Sequence, residues 1–193
     1  MAFAFVMSVT PGPNNLMLLA SGANFGWIRT LPHMLGVSLG HMLMVVLVGV
    51  GLIQIFETFP ITNMILKVAS IAFLLYLSYK IATAAPPAET SETPTGKPLT
   101  FIQAALFQWV NPKAWAMALT AISAYTPENS GTWGVMIVAM VFATTNFPSI
   151  NLWVFLGTQL RRLLNVPWKL RAFNFGAALL LLASLYPILF ATV

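Results

Sequence analysis

Six apolar stretches dominate the chain, at about Ala2–Asn24, Leu31–Phe56, Pro60–Ala84, Leu99–Ala124, Thr132–Leu160 and Pro167–Thr192, and none contains an aspartate or a glutamate. A hydrocarbon core about 30 Å thick needs roughly 20 helical residues, so each stretch is long enough to cross it. Only 7% of the residues are charged and 59% are hydrophobic, whereas a soluble domain carries about a quarter charged residues to cover its surface. The fold class is therefore all-α and integral to a membrane, as one compact bundle of six transmembrane helices. The sequence pI of 9.9 does not point to nucleic acid, because the basic residues are scattered through short loops and form no patch. Without cysteine, disulfides, thiolate metal sites and cysteine nucleophiles are excluded. The start, MAFAFVMSV, has no positive n-region or small-residue cleavage site and reads as part of the mature fold.

One polar low-complexity segment interrupts the pattern. PPAETSETPTGKP, Pro86 to Pro98, has the composition of an exposed flexible linker and divides the chain into residues 1–85 and 99–193, three spans each. With six spans, the loops on one side hold Arg29, Lys80, Lys97, Arg161, Arg162, Lys169 and Arg171, and those on the other hold Glu57 and Glu128 with no lysine or arginine. By the positive-inside rule the linker is cytoplasmic and both termini are outside. A half with three spans forces the next half to enter from the opposite face, so related halves are inverted repeats. Weak similarity supports the relation: MSVTPGPNNLMLL aligns with FQWVNPKAWAMAL when offset by one residue so that Pro11 falls on Pro112 and Thr10 on Asn111, and LSYKI aligns with SLYPI, placing Tyr79 on Tyr186.

The first and fourth spans are broken. Proline lacks the backbone N–H and displaces the carbonyl four residues earlier, so Pro11 and Pro13 free the carbonyls of Met7 and Val9, and Pro112 frees that of Gln108. Non-helical backbone at membrane depth survives only where it is buried in protein or lines a wet cavity. Discontinuous helices meeting at the midplane of an inverted repeat are the layout of a transporter binding site. The half-helix starting near Pro13 points free N–H groups and a positive dipole end into that space, where a carboxylate is stabilised. A kink used only for packing is the blander reading, and it fits a single proline better than Pro-Gly-Pro-Asn-Asn opposite Asn-Pro-Lys.

Lys113 lies about halfway along the fourth span, too deep for comfortable snorkelling. Its burial costs about 2.5–3.5 kcal/mol even on the mild insertion scale. No span supplies a carboxylate, so either a ligand provides the anion or freed carbonyls of the first span hold the ammonium as a pin; both can be true. Asn14, Asn15 and Asn111 can meet an ammonium and a carboxylate, or simply cap exposed backbone. In the fifth span, ATTNFPSIN brings Asn146 to membrane depth and gathers Thr144, Pro148 and Asn151 on one helical face, for the cavity or for a neighbouring helix. His41, mid-span, reads as an imidazole satisfied inside the bundle rather than as a proton relay, although it is the best candidate for one. His33 falls at the cytoplasmic interface. Gly36 and Gly40, spaced G-x-x-x-G, fit close helix packing. Trp27, Trp133 and Trp168 sit where aromatic belts form.

SVTPGPNNLMLL, LYLSYKIA and FIQAALFQWVNPKAWAMAL together resemble the lysine exporter (LysE/RhtB) family of bacterial amino-acid exporters, and the similarity runs from about Phe5 to the C-terminus. Its motif positions fall on Thr10, Pro11, Gly12, Pro13, Asn14, Asn111, Pro112 and Lys113. The resemblance implies a six-span inner-membrane exporter of amino acids, driven by the proton-motive force. Such exporters are often dimeric, so a second copy of the chain is an implied partner beside lipid and substrate. The FQWVN context is similar to the branch handling small neutral amino acids and derivatives such as cysteine, O-acetylserine, homoserine and threonine. The chain starts several residues later than is usual in that family.

The expected function is a secondary transporter exporting small amino acids by alternating access. The candidate substrate site is Pro11, Gly12, Pro13, Asn14, Asn15, Gln108, Asn111, Pro112, Lys113 and Asn146, with His41 for proton coupling and no catalytic residue, metal or cofactor. A metal or inorganic-ion exporter on a related six-helix frame would need clusters of Asp, Glu, His or Cys inside the membrane, and only one mid-span histidine is present. An enzyme would need a paired acid and base or an activated nucleophile, and no such pair is found. An assembly subunit would transport nothing when purified.

Overall fold

The computed structural model of the chain describes residues 1–52, 54, 58–59, 61–84, 97–127, 129–164 and 166–186. Most of the linker, Glu57 and Glu128 lie outside the described residues. Every regular element among the described residues is helical. The first apolar stretch is two helices, α1 (Ala2–Val9) and α2 (Pro13–Phe25). Then come α3 (Trp27–Leu47), continued by a π-helical turn over Val48–Leu52, and α4 (Ile61–Ala82). The fourth apolar stretch is likewise two helices, α5 (Phe101–Val110) and α6 (Pro112–Tyr125), followed by α7 (Gly131–Leu163) and α8 (Pro167–Ala183). Among the described residues, three helices are individually long and apolar enough to cross a membrane: Trp27–Leu52, Met64–Ala82 and Gly131–Leu163. The chain is a membrane protein.

The breaks are stops and restarts rather than kinks. Thr10 and Gly12 are extended, and Pro13 is the first residue of α2. Asn111 alone is extended (φ −97°, ψ 109°), and Pro112 is the first residue of α6. A proline in that position has the right φ and lacks an N–H the helix start would not have used. Pro32 and Pro148, by contrast, sit inside continuous helices. Both interrupted spans thus restart from a proline that suits a helix N-terminus.

Glycines set the closest contacts. α3 packs on α5, where a Cβ on Gly36 would meet the Phe101 carbonyl oxygen and one on Gly40 would stand 2.7 Å from Ala105 Cα. This is the small-residue interface expected from the G-x-x-x-G spacing. A second such seam joins α2 to α7, where Gly22 faces the Val154 backbone and Gly157 faces Leu19 and Ala23. α4 packs on α8. Leu18, Met34, Leu74, Phe107 and Leu181 form the centre of one apolar core, and Met44, Val45, Ala118 and Phe142 that of another. Met64, Ile65 and Val68 of α4, Ile102 and Leu106 of α5, and Leu179 and Leu180 of α8 are exposed, as lipid-facing side chains are.

The ends of α2, α4 and α7 meet the starts of α3, α5 and α8 at one end of the bundle, which carries the basic residues. There Arg29 lies 5.8 Å from the Phe25 ring centroid and Arg161 approaches Gly26. Asn24 and Asn174 pair through both amides, at 2.8 and 3.1 Å, and Asn174 also donates to the Ala84 carbonyl. Trp27 donates to Asn151 Oδ1 at 3.0 Å, and Trp133 and Trp168 are largely exposed at their helix starts.

Candidate substrate site at the paired helix breaks

The two interruptions meet. Lys113, in the first turn of α6, reaches across to the α1–α2 break. Its Nζ donates to the Thr10 carbonyl at 2.7 Å, to Thr10 Oγ1 at 2.8 Å and to the Pro11 carbonyl at 3.3 Å. Gly12 makes room for it: a Cβ there would stand 2.8 Å from Lys113 Cδ. No aspartate or glutamate occurs among the described residues, so backbone and hydroxyl oxygens alone hold the ammonium. The pin reading of Lys113 is therefore observed, although its acceptors differ from the carbonyls expected. Those carbonyls are satisfied elsewhere. Met7 O accepts from Thr10 Oγ1 at 3.0 Å, Val9 O from Trp153 Nε1 at 3.0 Å, and Gln108 O from the Asn111 amide at 3.3 Å. A threonine hydroxyl, a neighbouring indole and a backbone N–H supply the donors that proline removed, as the cost of an unpaired carbonyl in hydrocarbon demands.

The amides divide their work. Asn15 Nδ2 donates to the Ser8 and Thr10 carbonyls, both at 2.8 Å, and so ties α2 back to the end of α1. Asn111 Oδ1 accepts from the Lys113 amide at 3.1 Å, an N-cap for α6. Asn14 and Gln108 exchange two hydrogen bonds, at 2.8 and 3.2 Å, joining the first break to the last turn of α5. Gln108 is itself anchored to the Ala104 carbonyl.

A cavity of about 30 Å³ lies at this junction, lined by Gly12, Asn14, Asn15, Asn111, Lys113 and Asn146 among the sequence-derived candidates. It has room for about two waters and not for an amino acid. Pro11 contributes only its carbonyl to Lys113, Gln108 acts through Asn14, and Pro13 and Pro112 start helices without lining the space. His41 also lines it, but not as the satisfied imidazole expected: it is buried and neither ring nitrogen has a hydrogen-bond partner. The ring packs 5.7 Å from that of Phe142 instead. Ser8 is a lining residue that sequence reasoning missed, and its Oγ is likewise buried without a partner. As the one polar side chain of α1, it carried a legible signal.

The Thr144–Pro148–Asn151 face of α7, left open by spacing between the cavity and a neighbouring helix, does not line the cavity, and its Asn151 instead accepts from Trp27 of α3. Thr144 and Pro148 are exposed, and the inward face carries Asn146 and Ile150. His33 is not interfacial but buried, with neither ring nitrogen paired. It lines a larger cavity of about 330 Å³ at the basic end. Among the described residues no group of three or more His, Cys, Asp or Glu comes together to hold a metal.

Comparison with known proteins places this arrangement. The chain is 26% identical to cysteine/O-acetylserine efflux proteins of Escherichia coli O1:K1, Escherichia coli O157:H7 and Escherichia coli strain K12, over 83% of its own length and 82% of theirs. No solved structure matches it. The model of the family described as LysE type translocator matches residues 5–185, a stretch that contains both breaks, and the chain belongs to that family of transporters.

Proposed function

We propose that this protein exports small amino acids or their derivatives, cysteine and O-acetylserine foremost, from the cytoplasm across the bacterial inner membrane. In this reading it is a proton-motive-force-driven secondary transporter working by alternating access. The relatives' efflux activity supports the substrate class. The observation that carries the reading is Lys113, an ammonium at a broken-helix junction that is held, among the described residues, by neutral oxygens. A zwitterionic amino acid complements that arrangement. Its carboxylate takes Lys113 and the free amides at the start of α2. The Thr10 and Pro11 oxygens released by Lys113 then accept from its ammonium, with Asn146 beside them. The 30 Å³ space must widen for this, and withdrawal of Lys113 is the first step of the widening. Coupling is assigned to His41, whose ring nitrogens lack partners.

The same proposal includes six spans in two inverted repeats, residues 1–85 and 99–193, joined by the cytoplasmic linker 86–98. Packing supports it. An inversion exchanges α1–α2 with α5–α6, α3 with α7 and α4 with α8. At the level of whole spans, the packing of the first span on α7 corresponds to that of the fourth span on α3, while the contacts of α3 with α7 and of α4 with α8 map onto themselves. The basic end is then cytoplasmic and both termini lie outside. A homodimer belongs to the proposal as an implication of the family resemblance alone.

The test is purified protein in liposomes with labelled O-acetylserine and cysteine, with and without a pH gradient, beside Lys113→Met. Loss of a charge-assisted hydrogen bond of about 1.5–3 kcal/mol predicts transport lowered about 10- to 150-fold. A folded Lys113→Met protein that exports as well as wild type refutes the role of Lys113.

A further inference from the structure

The cavity at the basic end is built differently from the one at the breaks. At about 330 Å³ it falls within the range of small-molecule sites. Two cations from separate elements line it: Lys80 from the last turn of α4 and Lys97 ahead of α5. Its apolar wall includes Met17, Leu77 and Leu99. His33, 1% exposed and with both ring nitrogens unpaired, is part of the lining. No described residue supplies a carboxylate to either lysine. Two ammonium groups over an apolar wall select a small organic carboxylate rather than a cation, and the volume admits an amino acid that the cavity at Lys113 does not.

We propose that this cavity is a second, separate binding site, where Lys80 and Lys97 capture the carboxylate of the exported molecule before it reaches Lys113. The inference rests on the proposed export function for the identity of its ligand, but not on the role of Lys113. Passage toward the breaks leads along α2, which lines both cavities, from Ser21 and Met17 to Asn15 and Asn14.

The chain has two histidines, and one lines each cavity. Histidine-selective ¹⁵N labelling of the full protein in lipid nanodiscs therefore gives one reporter per site. O-acetylserine is titrated in, with its methyl ester as the carboxylate-free control. The expected result is a saturable shift of the His33 signals in wild type and in Lys113→Met. The shift should be absent with the ester and lost in Lys80→Met/Lys97→Met, whose unchanged His41 signals show that the double variant is folded. A wild-type His33 that does not respond overturns the capture site, as does a response that persists in the double variant or with the ester. A response at His33 with none at His41 upholds capture and counts against binding at Lys113. A response at His41 alone does the reverse.

Discussion

Gly12→Ala tests the junction with a single methyl group. The Cβ would stand 2.8 Å from Lys113 Cδ and 3.3 Å from Nζ. Carbon atoms rest about 3.5–4.0 Å apart, so the lysine side chain must retreat by roughly 1 Å. Backbone strain does not enter, because Gly12 is extended (φ −178°, ψ 174°), a conformation alanine adopts freely. The two short bonds from Nζ, at 2.7 and 2.8 Å, reach their practical limit near about 3.2 Å, so a retreat of the side chain as a unit, carrying Nζ with Cδ, breaks at least one of them. Side-chain bonds inside membranes are worth about 0.6 kcal/mol on average and up to about 1.7, and a charge-assisted one in general about 1.5–3. The expected cost is therefore about 1–2 kcal/mol. Equilibrium unfolding in mixed micelles, followed by tryptophan fluorescence, measures it for wild type, Gly12→Ala, Lys113→Ala and the double variant. Removing Lys113 removes the atoms the methyl strikes. Gly12→Ala should then cost no more than a few tenths of a kcal/mol, leaving a coupling of about 1–2 kcal/mol. An equal cost in both backgrounds, or none beside Lys113, would show that the lysine is not seated against Gly12.

The same assay bears on two other contacts. Asn14→Ala and Gln108→Ala should couple by about 0.5–1.5 kcal/mol, the worth of the hydrogen bonds they exchange, and independent effects would mean that the breaks are not bridged there. Gly157→Ala should destabilise by about 1–3 kcal/mol through overpacking, since its Cβ meets the Leu19 carbonyl and comes within 2.9 Å of the Ala23 amide. Gly176→Ala, with nothing within 4 Å of the new methyl and lying inside α8, should be neutral or stabilise by up to about 1 kcal/mol, and equal tolerance at the two positions would contradict the α2–α7 seam.

What the sequence made legible was where backbone bonding must fail. Proline chemistry acts locally, so Pro11, Pro13 and Pro112 marked the helix ends to within a residue or two. The depth of Lys113 in an apolar run marked the residue that had to reach across. Partner choice was not legible, because it depends on what folding brings alongside. Val9 O is satisfied by Trp153, from a helix more than a hundred residues later, and nothing near Val9 announces an indole. The inward face of α7 stayed undecided for a related reason. Polar residues occur all round that helix in ATTNFPSIN, so spacing alone could not choose between the Thr144 and Asn146 faces. Thr144 and Thr145 hydroxyls bond back to their own helix, at Met140 and Val141, which lets a threonine face lipid without an unpaired group. His33 was misplaced because its position in sequence, near a helix start, gave its depth but not the neighbours that close over it.

Under the proposed function, the distance between the two cavities bears on how the transporter moves. α3 presents His33 to the larger cavity and Val37 and His41 to the smaller, and α2 presents Met17 to one and Asn15 to the other. At about 1.5 Å of rise per residue the septum is roughly one helical turn thick, and the same stretches of α2 and α3 carry the fully buried Leu18 and Met34 of the apolar core. Opening it requires α2 to turn against its neighbours. A continuous helix such as α7 would have to bend along its length. α2 instead ends at the Thr10–Gly12 break, where a change of dihedral angles need not disrupt its own helical bonding. Lys113 holds that hinge through its bonds to Thr10 and Pro11. A carboxylate that draws the ammonium away releases the hinge in the act of binding. Occupancy and motion are then coupled through one side chain, which explains why a lysine pinned by neutral oxygens, rather than one neutralised by a resident carboxylate, stands at the junction: a permanent counter-ion would hold the lysine whether or not substrate were present.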